Sequence, residues 1–248
     1  MSTLDKPAPA ADKYILKHME QQQIKHLDKI YHHLFGYKTD GFFVELGVGG
    51  NLVDGPSNTG DLADLGWRGI YVEPGPDAYK ECVDRHKNND VEMFECAAGD
   101  SYEDLTLEGD TTFPEVFDAF NKLGWYPPRG NEPGFLMPPI TVKQMPINDI
   151  LKKGNCPKTY DILSIDVEGA ERTILAAYNF NKYRPHVIII ETRHYDPHFI
   201  NRFPRIVEDS KECVNILNKN KYREVYADSL NSIFIDENND TLNGSIFG

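Results

Sequence analysis

Five carboxylates in this sequence stand where short apolar runs give out. Glu45 lies in Gly41-Phe-Phe-Val-Glu-Leu46 and Glu73 closes Gly69-Ile-Tyr-Val-Glu73. Asp166 and Glu168 follow Tyr160-Asp-Ile-Leu-Ser-Ile165, and Glu191 closes Pro185-His-Val-Ile-Ile-Ile-Glu191. Runs of this kind read as strands, and the last, apolar without interruption, suits a strand buried on both faces. In open α/β sheets ligands lie beyond the carboxyl ends of the strands. All five acids therefore map to one rim. Acids gathered there repel one another unless they meet cations or hydroxyls, so the rim reads as a binding and catalytic edge.

The residues around these acids narrow the chemistry. The turn Gly47-Val-Gly-Gly50 lets the backbone bend sharply and a ligand lie directly on it. A G-x-G-x-x-G fingerprint counted from Gly47 would need its third glycine at Leu52, so the dinucleotide pattern fails and an NAD-dependent oxidoreductase is the weaker alternative. Glu45, an acid beside the turn, suits a ligand that carries an ammonium. Glu73 at a strand end is placed to accept hydrogen bonds from two ribose hydroxyls. In Glu95-Cys-Ala-Ala-Gly-Asp100, Ala97 leaves room for a flat base and Asp100 offers an acceptor to its exocyclic amine, with an ordinary loop as the alternative.

The segment Ile165-Asp-Val-Glu-Gly-Ala-Glu171 puts two acids before a helix, a glycine that permits close approach, and Glu171 in the first turn, where its charge suits the helix dipole. A reacting hydroxyl needs a proton acceptor, and His194, just past the fifth strand, is one candidate, with Asp166 and Glu168 as rivals. A divalent cation, Mg²⁺ or Mn²⁺, held by Asp166, Glu168 and Glu191 is the other way to acidify a hydroxyl. His194 and His198 are four apart, but Pro197 argues against a helix that would align them.

The elements that must position these groups alternate along the chain. Strands are expected at 41–46, 69–73, 91–97, 160–166 and 185–191, with an antiparallel hairpin at 222–226 and 232–235. Helices are expected over 14–35, from 58 to 66 with Ser57 or Asn58 as cap, and over 76–88, 169–179 and 205–219. This alternation predicts a mostly parallel seven-stranded sheet with helices on both faces. An N-terminal tail and amphipathic helix (1–36) precede a single domain over 37–248, interrupted by an insertion at about 100–140. The insertion is rich in Pro and Gly yet carries Trp125, Tyr126 and Phe135, which fits a lid or a surface excursion equally well. The four histidines of the first helix, His18, His26, His32 and His33, lack the spacing of a helical metal pair and read as a solvated face.

Composition bounds the rest. The 248 residues carry a formal charge of −13, which disfavours binding to nucleic-acid phosphates. No apolar run is long enough to span a membrane. Four scattered cysteines (Cys82, Cys96, Cys156, Cys213) without a C-x-x-C pair, and an opening MSTLDKPAPAADK without an apolar core, point to a cytoplasmic protein with reduced thiols.

Four groups of residues together resemble a known family. Gly41-Phe-Phe-Val-Glu-Leu-Gly47, then Asp54-Gly55 with Ser57-Asn-Thr59, then Leu65-Gly-Trp-Arg-Gly-Ile-Tyr-Val-Glu-Pro74 and Ile165-Asp-Val-Glu-Gly-Ala-Glu171 are similar to the FkbM family of methyltransferases. The resemblance implies a class I, Rossmann-like methyltransferase fold with S-adenosylmethionine as donor. It further implies O-methylation of a hydroxyl on a sugar or another small natural-product acceptor. The donor contacts expected from the residues and the resemblance together are Glu45, Gly47, Gly49, Asn58, Thr59, Glu73, Ala97, Asp100 and Asp166. Glu45 stands where the family more often has Asp. A methyltransferase fold that binds without turnover is the alternative from another class.

Overall fold

The computed structural model describes residues 24–49, 57–107 and 139–239. The aromatics Trp125, Tyr126 and Phe135, together with Gly50, Asp54 and Gly55, lie outside the described residues, as do the first ten positions of the expected 14–35 helix.

A seven-stranded sheet organises the molecule. Its strands are β1 (Phe42–Leu46), β2 (Arg68–Val72), β3 (Val91–Phe94), β7 (Thr159–Ile165), β8 (Arg184–Glu191), β9 (Tyr222–Ala227) and β10 (Asn231–Asp236). They run in the order β3-β2-β1-β7-β8-β10-β9. The first five pair in parallel, and β10 runs antiparallel between β8 and β9. The order reverses between β1 and β7, whose neighbours lead away in opposite directions. This is the switch point at which such sheets open a crevice.

The period-two alternation of each strand sends its residues to two different cores. Phe42, Val44 and Leu46 of β1, with Leu163, Ile165, Ile188 and Ile190, face one side. That side is covered by α4 (Ile147–Lys153), α5 (Glu171–Ala177) and α7 (Pro204–Lys219), through Ile150, Leu151, Ile174, Leu175 and Leu217. Phe43, Tyr71, Ile162, Val187 and Ile189 face the other. There α1 (Leu27–Phe35), α2 (Gly60–Asp64) and α3 (Pro76–His86) contribute Leu27, Ile30, Tyr31, Leu62, Ala63 and Cys82. Helices thus cover both faces, and β1 and β8 are buried along nearly their whole length.

Four details depart from the expected elements. The strand expected over 91–97 is two: β3 stops at Phe94, and β4 (Ala97–Gly99) joins β5 (Asp104–Leu107) and β6 (Ile140–Pro146) in a second, three-stranded sheet. The described margins of the 100–140 segment are therefore paired strands, with Asp104–Leu107 antiparallel to Ile140–Lys143. The α2 cap is Thr59, without a side-chain capping bond, because the polar groups of 57–59 turn inward to Glu45. Pro197 opens α6 (Pro197–Arg202) rather than preventing a helix, since proline is tolerated in a first turn. His194 precedes that helix and His198 lies within it.

Candidate active site

Gly47 turns the chain out of β1 with φ +79°, wedged between the ends of its two neighbours. Its amide donates to the Val72 carbonyl at 2.9 Å, and the Asp166 amide donates to Leu46 at 3.0 Å. A Cβ on Gly47 would stand 1.7 Å from the Asp166 carbonyl oxygen. The glycine turn and Asp166 are thereby in contact. Gly49 (φ +71°) follows, and a Cβ there would meet no atom of the described residues within 4 Å. Its amide donates to Glu73 Oε2 at 2.9 Å, while Gly75 donates to Glu73 Oε1 at 2.8 Å. Burial pushes the Glu73 carboxyl up, and the amides of Gly75, Gly49 and Val48 oppose that shift. Glu73 thus fixes the turn through both of its carboxylate oxygens.

Glu45 occupies a different environment. It is 2% exposed and points to the α1–α2–α3 side of the sheet. The Ser57 hydroxyl donates to Oε2 at 2.8 Å, the Asn58 amide to Oε1 at 2.7 Å, and the Thr59 hydroxyl to Oε2. Burial raises its carboxyl, and bonds from Thr59, Asn58 and Ser57 counter the rise. Asn58 extends the network: its side-chain amide donates to Ser164 Oγ at 3.0 Å, and its carbonyl accepts from Tyr31 Oη at 2.8 Å. Both oxygens of Glu45 are committed to the 57–59 segment, which Asn58 ties in turn to α1 and β7.

The third group gathers beyond β7 and β8. Carboxylate oxygens of Asp166, Glu168 and Glu191 lie within 4.8 Å of one another. Glu168 is held at φ +53°, a left-handed conformation uncommon for a non-glycine residue. Glu171 stabilises that turn by accepting from the Val167 amide at 3.1 Å and from the Gly169 amide at 3.1 Å. Glu191 is 7% exposed. Burial first, then the charges of Glu168 and Asp166, push its carboxyl well above the usual range. Arg193 answers this charge. It bonds Glu191 Oε1 at 2.5 Å and pairs with Glu168 Oε2 at 3.6 Å. Burial works to lower its guanidinium, but Glu191, Glu168 and Asp166 outweigh it and raise it.

Ala97 is buried in β4, and Asp100 is exposed just beyond that strand. His194 is buried, with Nδ1 unpartnered among the described residues. Its ring stacks at 4.0 Å on Tyr195. Burial lowers its pKa, and the charges acting on it are Glu224 of β9 and Lys211 of α7, not the acids of the rim. An open groove of about 590 Å³ between α5 and α7 is lined by Tyr178, Asn179, Phe180 and Ile216 and by none of the rim residues.

Sequence reasoning missed Arg193, Ser164 and Tyr31 as parts of the site. Arg193 had a signal: two residues beyond Glu191 on extended chain, the two side chains share a face. Tyr31 and Ser164 had none, because their partners are fixed only by the tertiary fold.

Sheet order, parallel pairing with one antiparallel strand, and a glycine turn at the switch point define a class I methyltransferase fold. The profile described as Methyltransferase FkbM domain matches residues 48–224, well over half of the sequence. The chain belongs to the FkbM methyltransferase family. Among solved structures, a Staphylococcus aureus protein provisionally assigned as a caffeoyl-CoA O-methyltransferase is 12% identical, with a TM-score of 0.46 over 85% of this chain and 82% of that one. No curated protein matches the sequence significantly. Among the described residues no helix is long and apolar enough to cross a membrane.

Proposed function

We propose that this methyltransferase takes S-adenosylmethionine as donor and methylates a hydroxyl of a small polyhydroxylated acceptor, a sugar or a natural product. The observation that carries the reading is one continuous edge. The Gly47–Gly49 turn is pinned by Glu73 on one side and abuts Asp166 on the other, with Glu168 and Glu191 within 4.8 Å of Asp166. The bound donor would supply a methyl group already activated on a sulfonium.

The residues present fit such a donor. Glu73, at the end of β2, would accept hydrogen bonds from the ribose hydroxyls. The bare backbone of Gly47 and Gly49 admits the ligand. Ala97 and Asp100 flank the base. Glu45 was expected beside the ammonium, but the half-buried Asp166 is better placed for it, and Glu45 acts one step back by holding Asn58 and Thr59. Asp166 or Glu168 would take the acceptor's proton as the methyl passes from the donor's sulfonium to the acceptor oxygen and a neutral thioether is left, and the other acid would accept hydrogen bonds from neighbouring hydroxyls. A divalent ion on Asp166, Glu168 and Glu191 is the competing arrangement. The distances suit one, and Arg193 bears on the choice.

Calorimetry with S-adenosylhomocysteine tests the donor site. Binding in the micromolar range is expected, with Glu73→Ala weakening it about tenfold, the loss of one or two charge-assisted bonds. Equal or better binding of NAD would refute the reading. A screen of sugars and phenolic or aliphatic alcohols with methyl-labelled donor then identifies the acceptor.

A further inference from the structure

Three carboxylates of the rim converge on a space that, among the described residues, also receives the Arg193 guanidinium. Arg193 is 17% exposed at its side chain and Glu191 5%, so the pair is largely shielded from solvent. The guanidinium is held from three directions. Glu191 Oε1 lies at 2.5 Å, Glu168 Oε2 at 3.6 Å, and the Phe199 ring of α6 stacks 4.6 Å from Cζ. The backbone behind it is fixed as well, because the Arg193 amide donates to Ser210 Oγ of α7 at 3.2 Å. A planar, permanently charged fork in such a cage is pre-organised for carboxylates in a way a lysine is not.

We propose that Arg193 is the resident cation of this rim. It takes the charge position that a divalent ion would otherwise occupy among Asp166, Glu168 and Glu191, so the reaction is metal-independent and Arg193 is a positioning residue. It neutralises the buried Glu191 and steadies the left-handed turn at Glu168, which leaves Asp166 facing the acceptor. A dication entering the same space would meet a fixed positive charge a few ångströms away in a partly desolvated setting, where such repulsion is strong. The inference rests on the rim being the acceptor edge only for its consequence on turnover. The charge argument itself needs no substrate.

The test is a titration of the full-length protein with Mn²⁺, with free ion followed by electron paramagnetic resonance. Wild type should show no saturable site below about 1 mM, the weak end of oxygen-ligand sites. Arg193→Gln keeps a donor for Glu191 but removes the charge, and should gain one Mn²⁺ site at least about tenfold tighter than anything in wild type. Adding Asp166→Asn should abolish that site. Arg193→Lys, which keeps the charge, should behave as wild type. A micromolar Mn²⁺ site in wild type that Asp166→Asn removes would overturn the proposal. So would an Arg193→Gln protein with a native circular dichroism spectrum and no Mn²⁺ site. Should Arg193→Gln not fold, the comparison of wild type with Asp166→Asn decides alone. S-adenosylhomocysteine binding to the same samples reports separately on the donor reading.

Discussion

At the scale of single residues, two histidines and one aspartate separate chemistry from packing. His194, once a candidate base, is buried against Tyr195 within reach of the charges of Glu224 and Lys211. Asp166 touches the glycine turn through its backbone and keeps its side chain half-buried among the rim acids. Asp166→Asn is therefore expected to lower turnover by about 100-fold or more, the usual worth of a general base, while His194→Ala changes it by less than about tenfold. The reverse ranking in a single-turnover assay would return the base to His194. His86 titrates without taking part in the chemistry. It is 2% exposed, stacked 4.6 Å from the Tyr71 ring and paired with Asn89, with the charges of Arg85 and Asp64 beside it. Burial lowers its pKa, so below about 6.5 the unfolded chain binds a proton that the folded one refuses. The stability associated with His86 is thus full above that value and declines as pH falls through it. His86→Phe keeps the stacking and should flatten the fall in melting temperature between pH 7 and pH 5.5, roughly the window of that titration. An unchanged slope would assign the acid sensitivity to His186 or His194, which burial also lowers.

At the scale of elements, strands were legible in the sequence and their partners only partly so. The runs at Phe42–Leu46, Thr159–Ile165 and Arg184–Glu191 carry apolar residues on both faces because helices cover both faces, and that pattern is local. Glycine at 47 and acids at the strand ends were equally visible. What could not be read was where the chain leaves one sheet for another. Glu95 and Cys96 separate β3 from β4 without a glycine or proline to mark the break, so 91–97 looks like one strand. Likewise α4 and β6 fill a stretch where no motif drew attention. At the candidate site, Glu45 was placed beside the right turn, yet its partners at 57–59 come from the start of the next helix, a contact that no spacing rule supplies. The Gly47 turn is the element most sensitive to change. Its φ of +79° and the carbonyl of Asp166 both exclude a side chain, and a backbone atom cannot swing away. Gly47→Ala should cost about 2–3 kcal/mol or more by urea unfolding and should abolish donor binding. A variant of wild-type stability that still binds donor would mean the β1 and β7 ends can part without consequence.

At the scale of the whole molecule, the first helix is joined to the site through bonds that run along one face of the sheet. Ile24, Leu27, Ile30 and Tyr31 enter the same core as Phe43, Tyr71 and Ile189, although the family match begins only at residue 48. Tyr31 is fully buried, and its hydroxyl donates to the Asn58 carbonyl at 2.8 Å. Asn58 then reaches Glu45 through its amide and Ser164 through its side chain, so one residue links α1, β1 and β7. Tyr31→Phe removes a single donor and leaves a buried carbonyl unsatisfied. The expected loss is about 1–2 kcal/mol of unfolding free energy, a modest drop in melting temperature. A purely structural tyrosine would stop there. If α1 sets the 57–59 segment for the donor, affinity for S-adenosylhomocysteine should fall several-fold while the KM of the acceptor stays constant, since the rim acids of β7 and β8 are untouched. Stability lost with donor affinity intact would make α1 a cover for the sheet. Donor affinity lost as predicted would make α1 part of what shapes the donor site.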